Sequence, residues 1–148
     1  MRRRTHSREI AVQFLYQLDL RGDEVMADLS AFLAEHGKDD DVRTFAKRLI
    51  TGTMASRDAI DARLKTVTKN WDLRRMAAVD RNILRLAIYD LMHCPDVPPK
   101  VAINEAIEIG KKFSTANSGG FVNGILDRVR MDLEQERPAP AVEGAQGG

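Results

Sequence analysis

The chain has 148 residues, 43% of them hydrophobic and 30% charged, with 23 Lys and Arg against 22 Asp and Glu for a formal net charge of +1. That length supports one domain with a real core, or two small helical halves sharing one. The composition is that of a soluble globular protein, and no apolar run approaches the roughly 20 residues of a bilayer span, which excludes a membrane-crossing helix. A near-neutral total means that any nucleic-acid affinity must come from uneven placement of charge.

The placement is uneven from the start. Arg2, Arg3, Arg4 and Arg8 precede the first acid, Glu9. This basic start runs into an amphipathic pattern and not into an apolar block, so it is not a secretory signal. The single cysteine, Cys94, excludes an internal disulfide and suits a reducing cytoplasm. Ile10, Ala11, Phe14, Leu15 and Leu18 mark one face of a first helix, with Thr5 or Ser7 as its expected cap, which tethers the arginines to a fixed element. Gly22 and Asp23 end that helix and start a second, whose stripe is Met26, Leu29, Phe32 and Leu33 and which Gly37 stops. Asp39, Asp40 and Asp41 follow. They read as charge placed at a helix N-terminus, since a metal site would need more ligands at suitable spacing.

A third helix, about Asp40 to Met54, buries Val42, Phe45, Ala46, Leu49, Ile50 and Thr53. A fourth, about Arg57 to Thr68, uses Ile60, Leu64 and Val67, with an Asp61–Lys65 pair on its wet side. Asn70-Trp71-Asp72-Leu73 breaks the periodicity, and Trp71 is expected to plug the space between two halves. A further short turn is expected from Asp72 or Leu73 to Met76. The stretch Val79 to His93 is apolar on more than one face, which predicts a central, mostly buried helix. Prolines 95, 98 and 99 stop it, and Pro99 can open the next. Pro99, Ile103, Ala106, Ile107, Gly110 and Phe113 then form a stripe on a helix to Phe113. The last helix, Ser118 to Leu133 at its longest, carries Phe121, Val122, Ile125, Leu126, Val129 and Leu133. Gly124 within it costs about 1 kcal/mol against alanine, which suggests close approach of a neighbouring backbone.

These readings predict an all-α protein of about seven helices in two packed helical bundles. The domain spans 1–136, with an N-terminal bundle of about 5–56 and a C-terminal bundle of about 57–135. Residues 137–148, rich in Pro, Ala and Gly, are expected to be a disordered tail.

Catalytic machinery is not apparent. His93 and Cys94 are adjacent, so on a helix they face different directions, and His6 and His36 have no obvious partner. Neither a phosphate-cradling loop nor a dinucleotide fingerprint is present, so no catalytic residue, metal site or cofactor is expected. What remains is the polar loop Ser114 to Gly120, between Lys111-Lys112 and a new helix start, followed at once by Phe121. Amides at such a start attract phosphate, and an aromatic ring can stack on an unpaired base. From the residues alone, Phe121 reads either as core or as a stacking platform. Lys111 and Lys112 read as a solvated face or a nucleic-acid patch, and the arginine run as an incidental basic terminus or a nucleic-acid contact.

Four segments together resemble the NusB family of transcription antitermination proteins. They are Arg2-Arg3-Arg4 with Arg8 to Tyr16, Ile83 to Leu91, Asp96 to Glu108 with its Val-Ala-Ile-Asn-Glu-Ala run, and Phe121-Val122-Asn123-Gly124-Ile125-Leu126-Asp127. The resemblance implies an all-helical fold of two bundles and no enzymatic activity. It also implies, as partners, the single-stranded boxA RNA of ribosomal RNA transcripts, ribosomal protein NusE and the transcription elongation complex. Carried onto this sequence, the RNA surface comprises Arg2, Arg3, Arg4 and Arg8 with Lys112, Asn117, Ser118 and Phe121. The protein-partner surface comprises Tyr16, Asp80, Leu84 and Arg85. Two other readings stand beside it. One is a helical interaction scaffold without RNA, or a homodimer using the Tyr16 and Arg8 faces. The other is an RNA methyltransferase accessory domain, for which the chain has no room for an S-adenosylmethionine fold.

Overall fold

The computed structural model describes residues 2–69, 72–114 and 118–136, with the backbone alone for Arg2. Among the described residues all regular structure is helical: α1 Arg2–Arg21, α2 Leu29–His36, α3 Asp40–Ala55, α4 Arg57–Val67, α5 Ala78–His93, α6 Pro99–Phe113 and α7 Ser118–Glu136. Trp71 and the tail 137–148, for which a plug and disorder were expected, lie outside the described residues.

The first helix begins earlier than its expected cap, so Arg2, Arg3 and Arg4 are part of it. Ser7 does not cap. Its hydroxyl is buried and donates to the Val42 carbonyl at 3.0 Å, because a buried hydroxyl needs a partner and α3 supplies one. Gly22 closes α1 in the left-handed region, φ 106°, donating its N–H to the Leu18 carbonyl at 2.9 Å. Where one helix was expected up to Gly37, the chain makes a 3₁₀ segment, Asp23–Asp28, before α2. Neither Gly22 nor Asp28 offers a side-chain cap, and the tighter i→i+3 bonding, such as Val25 N–H to Gly22 O at 3.1 Å, takes up the orphan groups.

The acidic triplet does cap α3: the Asp39 carboxylate accepts from the Val42 N–H at 2.9 Å, with Asp40 and Asp41 in the first turn. A second 3₁₀ turn, Leu73–Arg75, is capped by Asp72. Helix α5 is the central element. Every residue from Asn82 to Leu91 is buried, and it packs against α1, α3, α4, α6 and α7. Pro99 occupies the first turn of α6, as its fixed φ allows. Helix α7 runs past Leu133 to Glu136, its end held by an Arg63–Glu136 ion pair across to α4 and by Arg130 against Asp127 and Glu134.

The helices share one core in which Phe14, Leu49, Ile50, Ile60, Leu64, Ile83, Leu84, Ile88, Val122 and Leu126 are sealed from solvent. Gly124 is not where helices approach, since nothing lies within 4 Å of an added Cβ there. Gly52 and Gly110 are. A Cβ on Gly52 would lie 2.3 Å from the Tyr89 ring of α5, and one on Gly110 would lie 2.8 Å from Ser118 Oγ of α7.

Candidate nucleic-acid interface

The arginines that the sequence groups together have separate environments. Arg3 and Arg4 are exposed. Arg3 lies 3.8 Å from Asp39 and 3.6 Å from Asp41, and the Arg4 guanidinium sits 3.8 Å over the Phe45 ring. Arg8 is buried, against expectation. Its Nε donates to Asp90 Oδ2 at 3.2 Å, and its Nη1 lies 4.0 Å from Glu105. Burial pushes the Asp90 carboxyl above its ordinary value, and the Arg8 charge opposes that only in part. One turn below Arg4 on the same face, α5 and α6 close over the helix and enclose Arg8, so Arg8 serves the fold.

The end of α6 meets α1 between one and two turns further along than Arg3 and Arg4. Exposed Lys112 pairs with Glu9 at 3.1 Å, and Glu9 lies about 9 Å along the helix axis from Arg3 at 1.5 Å per residue. Exposed cations thus flank the first half of α1, with Arg3 and Arg4 towards α3 and Lys112 on the α6 side, and the carboxylates of Asp39, Asp41 and Glu9 lie against Arg3 and Lys112. Exposed pairs of this kind contribute about 0–1 kcal/mol each, so phosphates can displace the carboxylates at small cost. Phe121 is half-buried and packs against the core. Ser118 departs from expectation: it is buried, and its hydroxyl donates to Asp80 Oδ1 at 3.0 Å and not outward. Asn117 and the Arg2 side chain lie outside the described residues.

The expected partner surface also divides. Tyr16 and Asp80 are half-buried, with Asp80 accepting from Ser114 Oγ at 2.7 Å as well. Leu84 is wholly inside the core and Arg85 is buried, because α5 is enclosed on all sides at that level. Arg85 pairs with Asp61 at 2.8 and 2.9 Å and approaches Asp19 at 3.4 Å, so the expected Asp61–Lys65 pair gives way to a stronger, bidentate one. This belongs to a network the sequence reading missed. Asp19 also binds Arg81 at 2.7 Å and Asn82 at 2.9 Å, and Arg81 donates to the Leu73 and Met76 carbonyls at 2.8 and 3.0 Å. The available signal was two arginines four residues apart, Arg81 and Arg85, with Asn82 between them at the start of a largely apolar helix. The network lines a polar cleft of about 620 Å³ whose wall includes Lys65, Lys69 and Arg74.

His6 has a partner after all, the His36 carbonyl at 3.3 Å from its Nε2. Burial, reinforced by the Asp90 charge, pushes the Cys94 thiol up to about 11, so it stays protonated near neutrality. Among the described residues no group of three or more His, Cys, Asp or Glu is placed to hold a metal, and no helix is long and apolar enough to cross a membrane.

Comparison with known proteins follows the same lines. The model of the NusB family matches residues 5–131. Transcription antitermination protein NusB of Desulfatibacillum aliphaticivorans is 41% identical over 139 residues, covering 94% of this chain and 97% of that protein. Among solved structures, NusB of T. maritima matches with a TM-score of 0.78 at 40% identity, covering 87% of this chain and 91% of that one. A crystal structure of antitermination factors NusB and NusE in complex with double-stranded RNA matches with a TM-score of 0.81 at 27% identity, covering 89% and 98%.

Proposed function

The chain belongs to the NusB family of transcription antitermination factors, which are not enzymes, and from that membership we propose that it binds boxA RNA of ribosomal RNA transcripts together with ribosomal protein NusE. Held this way in the cytoplasm, the transcript stays attached to the elongating polymerase and termination is opposed. The observation that carries the reading is the Lys112–Glu9 contact, which ties the end of α6 to α1 within two turns of Arg3 and Arg4. Arg2, Arg3, Arg4 and Lys112 hold phosphates, and the ring of Phe121 meets an unpaired base, with Asn117 as a further RNA contact. Tyr16 and the open side of Asp80 face NusE. The similar structure that joins a NusB to NusE and RNA supports this pair of partners.

The test is an anisotropy titration of labelled boxA RNA, with and without NusE, across a range of salt. Single-strand binding gives a slope of about −0.7 per neutralised phosphate, hence about −3 for the four cations. NusE is expected to raise the affinity. A slope near zero, or an affinity indifferent to NusE, rejects the proposal.

A further inference from the structure

A single carboxylate oxygen joins the two helices that flank the proposed RNA contacts. Asp80 Oδ1, at the start of α5, accepts from Ser114 Oγ at 2.7 Å and from Ser118 Oγ at 3.0 Å. Ser114 closes α6, its N–H bonded to the Gly110 carbonyl at 2.8 Å. Ser118 opens α7 and is 2% exposed. The absence of a side chain at Gly110 is what lets Ser118 in, since a Cβ there would stand 2.8 Å from its hydroxyl. Hydrogen bonds to an ionised acceptor are about twice as strong as neutral ones, and this acceptor cannot drift. The next two residues, Arg81 and Asn82, are fastened to Asp19 of α1, and Arg81 also to the Leu73 and Met76 carbonyls.

We propose that Asp80 is a positioning residue for the RNA interface. By fixing both hydroxyls it sets the separation between the end of α6 and the first turn of α7. It thereby sets the placement of Lys112 and Phe121 relative to the arginines of α1, without itself touching RNA. The inference rests on the RNA-binding reading above and adds to it a reason for two serines at these positions. Without the latch, the two helix ends must be ordered when RNA binds, and that cost appears as lost affinity.

The experiment compares Asp80→Ala, the double variant Ser114→Ala/Ser118→Ala, and the triple variant combining them. The readouts are boxA RNA affinity across salt and hydrogen exchange, without RNA, of the Val122–Ile125 amides, the first in α7 to donate within the helix. Asp80→Ala and the double variant are each expected to bind about tenfold more weakly, with the salt slope of the wild type, because no phosphate contact is lost. The triple variant is expected to match the double, since both break one latch. The amides are expected to exchange faster in all three. Asp80→Asn, whose amide oxygen still accepts from both hydroxyls but without the charge, should lose less RNA affinity than Asp80→Ala. If Asp80→Ala does not fold, as its circular dichroism would show, the serine variant carries the test. Unchanged affinity, additive losses, an altered salt slope or unchanged amide exchange overturns the proposal. Failure of the RNA reading itself looks different: the wild type then binds no RNA, while amide exchange still reports on the latch.

Discussion

Arg3 and Arg8 stand five residues apart on one helix and do different work. The Arg3 guanidinium is exposed and pairs loosely with Asp39 and Asp41, whereas Arg8 is enclosed with Asp90 and Glu105. Removing Arg8 leaves the buried Asp90 carboxyl, with half-buried Glu105 on the other side of the vacated place, without that cation, and breaking a buried pair in this way costs about 3 kcal/mol or more. Arg8→Ala is therefore expected to lower Tm by about 6 °C or more, read by calorimetry. Arg3→Ala/Arg4→Ala should leave Tm within a few degrees, weaken RNA binding, and reduce the salt slope by about 1.4 for two lost phosphate contacts. An Arg8→Ala variant with normal Tm and weakened RNA binding would reverse the two assignments. The sequence showed four arginines in nine residues; it did not show that the late-arriving α5 and α6 would cover one of them.

At the scale of elements, the apolar stripes placed the long helices within a few residues, because side-chain periodicity is a local property. The misplaced boundaries lie where partners come from elsewhere. Ser7 bonds to α3 and not to its own helix start, and Glu136 extends α7 through Arg63 of α4. Glycines follow the same rule. Gly124 looked like a close approach and is open, while Gly52 admits the Tyr89 ring. Gly124→Ala should accordingly stabilise the protein by about 1 kcal/mol through helix propensity. Gly52→Ala should destabilise it by about 1–3 kcal/mol through overpacking between α3 and α5. Urea unfolding of the two variants checks both signs, and equal effects would refute the contact geometry.

For the molecule as a whole, we propose a division near residue 56, with α1–α3 on one side and α4–α7 on the other, stitched by α5 and by the charges around Asp19. Burial alone would raise the Asp19 carboxyl, but hydrogen bonds from Arg81 and Asn82 and the charges of Arg85 and Arg81 outweigh it and hold it below its ordinary value. The native state then binds that proton less tightly than the unfolded chain. The stabilisation is present above the ordinary aspartate value and is lost as pH falls through the native one. Asp90 works in the opposite sense. Its burial raises its value, so its contribution declines as pH rises through the window between the unfolded and native values. Acid unfolding followed by circular dichroism from about pH 5 downward should show stability falling in the wild type and falling less steeply in Asp19→Asn. Parallel curves would exclude Asp19 as a contributor.

The chain alone established the number of helices, the faces they bury, the basic start and the segments shared with the NusB family, since each of these is written in residues near one another. Which charged and polar groups remain available to a partner was settled by packing. Arg8 meets Asp90 82 positions away, Arg85 meets Asp61 at 24, and Ser118 meets Asp80 at 38. Periodicity can say that a residue lies on a helix and on which side. Burial and pairing depend on what another helix brings to that side, and this exists only once the core has closed around α5.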